Sequence, residues 1–95
     1  MKLIPLTNGK VSGTGTLELS RNGGMLGQVL ISTDNSTAAA VLVHADNASG
    51  EKIFDISTVT AGPAFGPVAP SNGTNVLYFD VSGSNASAQF FEWVN

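Results

Sequence analysis

The stretch from Gly27 to Thr60 leaves little freedom about fold class. GQVLIS, AAAVLVHA and EKIFDISTVT are strand-length and rich in Val, Ile and Phe. Between them lie TDNST and DNASG, whose Asn, Asp, Ser and Gly bend a backbone at little steric or hydrogen-bonding cost. The pattern predicts a meander of antiparallel strands. Side-chain alternation then assigns faces. Val29 and Ile31 fall on one side of their strand, with Gln28, Leu30 and Ser32 on the other. Val41 and Val43 oppose Ala40, Leu42 and His44, and Phe54, Ile56 and Thr58 oppose Ile53, Asp55, Ser57 and Val59.

The flanks continue the theme. Residues 1–12 predict an N-terminal arm or edge strand, because Pro5 in KLIPL donates no amide hydrogen bond and would interrupt a central ladder. TNGK predicts a tight turn, TLELS a half-buried strand with Leu17 and Leu19 on one side, and RNGG a second turn. Residues 61–75 hold three of the four prolines and predict a long Pro/Gly-rich loop with no strand in it. VLYFDV and AQFFEWV close the chain as strands, the first with Leu77, Phe79 and Val81 on one face. No helix is predicted. Ninety-five residues suit one domain spanning 1–95. The expected fold is an all-β antiparallel sandwich of six to eight strands, jelly-roll or immunoglobulin-like, because an apolar sheet face needs a second layer and only another sheet is on offer. A closed barrel is the other solution.

Composition narrows the partners. Charged residues are scarce and the net charge is −3, so there is no cationic stripe for nucleic acid and no polybasic face for membrane lipid. Cysteine is absent, which removes disulfides and thiolate metal sites. The N-terminal apolar run is broken by Pro5 well short of a signal peptide, so the expectation is a soluble chain made in the cytoplasm.

Candidate chemistry is thin. His44 has no second His or Cys beside it and reads as a strand-end residue next to Asp46. Asp55, Asp80 and Glu92 lie within strands, where acids usually face solvent or deter edge pairing. Asp46 to Glu51 is rich in oxygen ligands but lacks the calcium-loop alternation, and Gly13-Thr14-Gly15 starts a dinucleotide fingerprint that stops at Glu18. Asn-x-Ser/Thr triplets at Asn35, Asn47, Asn72 and Asn85 follow from turn composition. The expectation is therefore a protein that is not an enzyme, with no catalytic residues, no metal, no cofactor and no small-molecule substrate.

Apolar residues are in surplus. Leu30, Leu42, Tyr78 and Phe90 are placed opposite the best core residues of their strands, which predicts a second face covered by neighbours. Leu3, Ile4 and Pro5 in the arm and Phe65 and Val68 in the proline loop join Leu30, Leu42 and Tyr78 as expected partner contacts, in a homo-oligomer or a larger assembly.

The strand GTLEL, the run LGQVLISTDNSTAAAVLVHADNASGEKIFDIS and the closing NVLYFDVSGSNASAQFFEWV, over roughly residues 13 to 94, resemble the small β-sandwich virion proteins of tailed bacteriophages, the capsid decoration or cement proteins and related head or tail accessory modules. The resemblance implies a non-enzymatic subunit, often a homotrimer, that binds the major capsid protein on the outer surface of the virion and reinforces the shell. A carbohydrate- or receptor-binding module of a tail fibre is the alternative, with Tyr78, Phe91 and Trp93 as its aromatic platform.

Overall fold

The computed structural model describes residues 2–95, and Phe65 by its backbone alone. Eight strands run in chain order: β1 (Lys2–Pro5), β2 (Gly13–Glu18), β3 (Met25–Ser32), β4 (Ala39–Ala45), β5 (Lys52–Thr58), β6 (Gly62–Val68), β7 (Val76–Ser82) and β8 (Ser87–Val94). They form two antiparallel four-stranded sheets, ordered β1-β8-β3-β6 and β2-β7-β4-β5. The pairing is nested: β1 lies against β8, β2 against β7, β3 against β6 and β4 against β5. A single long hairpin rolled on itself produces this order, with β3–β8 and β4–β7 closing the wrap. Of the expected sandwiches, the nested order is that of the jelly roll. Its two sheets stay separate and do not close into a barrel.

Alternation placed the inner faces correctly for most strands. Leu17, Leu19, Val29, Ile31, Val41, Val43, Leu77, Phe79 and Val81 are all buried in one cluster between the sheets, with Phe54 and Ile56 packed at its margin. Phe90 belongs to that cluster too, fully buried, with its ring centroid 5.3 Å from that of Phe79 in the facing sheet. Its expected outward placement is thus corrected. Phe90 shares its side of β8 with Glu92, whose charge suggests solvent. The fold buries both, because Ser20 satisfies the carboxylate. Gly15 is part of the same packing: a Cβ there would come within 2.7 Å of the Phe79 ring.

The proline-rich segment also differs from expectation. Residues 62–68 form β6, an edge strand on β3, and only the stretch after Val68 remains a loop. Strand pairing tolerates Pro63 because β6 borders the sheet, so its missing donor costs no ladder bond. The arm forms β1, likewise an edge strand, and resumes pairing past the TNGK turn through a Val11–Ala88 bridge.

Candidate functional site

Directly opposed residues in an antiparallel pair project to the same side of the sheet, so the register reads out each outer face. On the first sheet, Trp93 lies between Leu3 and Met25, and Phe91 between Pro5 and Gln28. Gln89 stands opposite Leu30, which faces Pro63 across the other pair, and Phe65 occupies the register position opposite Gln28. Ser32 and Ser87 end the row. None of these strand residues is charged. The Lys10 ammonium reaches the margin, where it donates to the Ser32 hydroxyl. Gly27, at the β3 bulge, lets Leu3 and Trp93 close over the backbone: a Cβ there would lie 2.7 Å from Leu3 Cδ2 and 2.8 Å from Trp93 Cβ. The face is a half-exposed apolar and amide surface carried on a continuous sheet.

The second sheet turns a different face outward. Thr14, Asp80, Leu42 and Asp55 form one row, and Thr16, Tyr78, His44 and Lys52 the next. Lys52 bridges to Asp55 at 3.3 Å over the β5 bulge, with both side chains about half exposed. His44 points Nδ1 at the Gly50 carbonyl, 3.1 Å away, and meets the Tyr78 ring edge-on. That histidine anchors the β4–β5 hairpin.

The expected contact residues therefore separate. Leu3, Pro5 and Leu30 share the outer face of the first sheet, together with the backbone position of Phe65, whose side chain lies outside the described residues. Leu42 and Tyr78 lie on the other sheet among hydroxyls and carboxylates. Ile4 and Val68 sit opposite Glu92 and Leu26, on the inner side of their edge strands. Met25 and Pro63 were not among the expected contacts. Phe91 and Trp93, expected as a sugar platform with Tyr78, are on the opposite sheet from it.

The acids do not converge. Asp55 and Asp80 flank Leu42 on the outer side of the second sheet, while Glu92 points into the sandwich from the first. Glu92 is 3% exposed and accepts the Ser20 amide at 3.0 Å and the Ser20 hydroxyl at 2.7 Å, tying β8 to the β2–β3 turn. The expected solvent-facing or edge-guarding placement is thus corrected for Glu92. Among the described residues no group of three His, Asp or Glu side chains is placed to hold a metal ion.

Both ends of the sandwich are tied by loop carboxylates. At one, Asp46 accepts from Thr74 Oγ at 2.7 Å and Asn72 Nδ2 at 3.3 Å. Glu51 there accepts from the Ser71 hydroxyl and amide, which lowers its pKa. The oxygen-rich Asp46–Glu51 turn thus spends its carboxylates on the β6–β7 loop. At the other end, Asp34 accepts the Thr37 amide, the Asn85 side chain and the Ser36 amide, and its carboxyl is lowered from 3.8 to about 2. An open cleft of about 340 Å³ lies at that end between β5 and β6, lined by Ile31, Ile56, Ser57, Thr58, Thr60 and residues 61–64. All four Asn-x-Ser/Thr asparagines are exposed in turns.

Compared with known proteins, the chain matches no family model, no curated protein and no solved structure.

Proposed function

We propose that this protein is a non-enzymatic virion structural subunit of the capsid decoration or cement kind, docking on the major capsid protein through the outer face of its first sheet. The observation that carries the reading is the charge-free outer surface built by Leu3, Pro5, Met25, Leu30, Phe91 and Trp93. Such a surface gains from burial against a partner and loses nothing to charge desolvation. Its aromatic members are the residue types that dominate binding energy at the centre of interfaces. Jelly rolls serve as viral shell domains and as sugar-binding domains, so the fold is compatible without deciding between them. Contacts made only to the mature shell add their binding free energy to that state and oppose rupture.

The test is addition of purified protein to empty phage heads assembled without it. Co-sedimentation, with increased survival of the heads on heating, is the expected outcome. Loss of both with Leu30→Lys would place the contact on this face. A chain that never co-sediments at saturating concentration would sink the reading.

A second reading has its own observation. Trp93 and Phe91 are adjacent outward residues of β8 with the amides of Gln28 and Gln89 alongside, an aromatic-plus-amide arrangement suited to stacking and hydrogen-bonding a sugar. Glycan-array binding abolished by Trp93→Ala and unaffected by Tyr78→Ala would favour it.

A further inference from the structure

Three of the four strands that border the sheets carry a feature that discourages further pairing. In β1 the Leu6 amide donates to Phe90 O at 2.8 Å, so alternation aims the Ile4 amide the same way and leaves the Pro5 nitrogen on the open side, where it offers no donor. In β6 the same alternation, started from the two-way Val11–Ala88 exchange, turns Gln89 and Leu30 toward each other and Val29 and Ile31 toward β6. Pro63, opposite Leu30, again faces open solvent with no donor. β5 has a register shift at His44/Lys52 and the Lys52–Asp55 ion pair.

β2 has none of these. Its six-residue register on β7 is unbroken, it contains no proline, and its one charge, Glu18, is at its end. The Leu19 amide donates to Asn75 O at 2.7 Å on the β7 side, so Leu17, Gly15 and Gly13 turn inward. Thr14, Thr16 and Glu18, all exposed, point their N–H and C=O groups outward. The neighbouring margin is apolar. β5 and β6 flank the cleft on one side of the sandwich, which puts β1 on the β2 side, and Ile4 lies on the inner face of β1 with 38% of its surface exposed.

We infer that β2 pairs antiparallel with β2 of a second copy of this chain about a two-fold axis at Thr16, joining the two second sheets into one continuous sheet. The occupant follows from self-complementarity. With Thr16 opposite Thr16 of the other copy, Thr14 meets Glu18, and every outward N–H and C=O of the three residues is paired. The two Glu18 carboxylates lie at opposite ends. Centring on Glu18 would set like charges face to face, and centring on Thr14 would leave Glu18 unpaired. Threonine opposite threonine is a favourable cross-strand pair, and at Gly13, where a Cβ would meet nothing within 4 Å, the inner margin is open for the second copy to cover Ile4. The outer faces of both first sheets stay free, so this pairing does not depend on the function proposed above. An edge-to-edge strand pair is a two-fold device, which distinguishes it from the trimer implied by the family resemblance.

The absence of native cysteine makes the test clean. Light scattering of the full chain over a dilution series up to about 1 mM should show a monomer–dimer equilibrium. Thr16→Cys should oxidise to a covalent dimer, because opposed Cα atoms in a hydrogen-bonded pair stand about 5.5 Å apart, within disulfide reach. Thr14→Cys, whose opposite number is Glu18, should cross-link at least about tenfold less, since its own counterpart lies about four residues of strand away. Thr16→Pro removes an outward donor and keeps the β7 ladder, so it should give a folded monomer by circular dichroism and mass. A wild-type chain monomeric throughout, equal cross-linking of the two cysteine variants, or a Thr16→Pro variant that is folded and still dimeric would overturn the proposal. Should Thr16→Pro unfold, the cysteine pair decides alone.

Discussion

On the first sheet the outward side chains between Leu3 and Pro63 carry no charge, whereas the second sheet turns out Glu18, Asp80, Asp55 and Lys52 among Leu42, Val76 and Tyr78. Both sheets have the same strand number, the same pairing sense and a shared core. The difference is confined to the solvent side. Charged groups resist desolvation, so the second face is suited to water and the first to a neighbour. An apolar strand residue therefore has a different meaning on each sheet: Leu42 between two carboxylates is an isolated exposure of the ordinary kind, and Leu30 beside Phe91 and Pro63 is part of a patch.

The strongest way to break this contrast is at the two adjacent phenylalanines of β8. Phe90→Ala should cost about 3–5 kcal/mol of folding stability by urea denaturation, the range for emptying an aromatic core site. Phe91→Ala, on the outer side, should cost about 1 kcal/mol or less. Equal costs would mean the face assignment is wrong. Next in size is partner binding. Trp93→Ala, or Leu30→Lys, should weaken binding to shell or glycan by about 2 kcal/mol or more, roughly thirtyfold, while Leu42→Lys on the other sheet stays within about threefold. Comparable losses from both faces would erase the distinction drawn between them.

A third variant probes how the two sheets meet. Gly15→Ala places a Cβ 2.7 Å from Phe79 Cζ, and overpacking of this kind should cost about 1–3 kcal/mol, read as a lower midpoint with an unchanged denaturant slope. The smallest effect expected is local and pH-dependent. Asp34 is held at about 2, below its ordinary 3.8, so its bonds to the Thr37 and Ser36 amides and Asn85 stabilise the turn fully above the unfolded value and are lost as pH falls from 3.8 toward 2. Protection of the Ser36 and Thr37 amides, measured against the unstructured-chain rate at the same pH, should fall over that window while that of Val41 and Val43 in the adjoining strand holds. Protection at Ser36 and Thr37 that does not change with pH would remove the assigned bonds.

The extent to which residues announced these roles varies by element. Turn chemistry at TDNST, DNASG and SGSNAS and the alternation in VLIS, VLV and LYFDV were legible because they depend on neighbours one or two places away. The candidate surface is half legible: of the expected contacts, Leu3, Pro5 and Leu30 share one outer face, and Leu42 and Tyr78 lie apart from them because alternation says which residues share a strand face and not which sheet that strand joins. The outward expectation for Phe90 and the loop expectation for residues 61–75 fail for related reasons. The deciding contacts, Ser20 with Glu92 and β3 with Pro63, join residues far apart in the chain.

By itself the amino-acid order determined an all-β chain, its turns, most of its inward-facing residues and the scarcity of charge, since each follows from local conformational preference and side-chain polarity. Only the rolled-up topology decided that Leu3, Met25, Leu30, Phe91 and Trp93 form one surface and that β2 is the undefended edge. Both properties arise when strands distant in sequence become neighbours, and nested pairing brings β1 beside β8 and leaves β2 at a border.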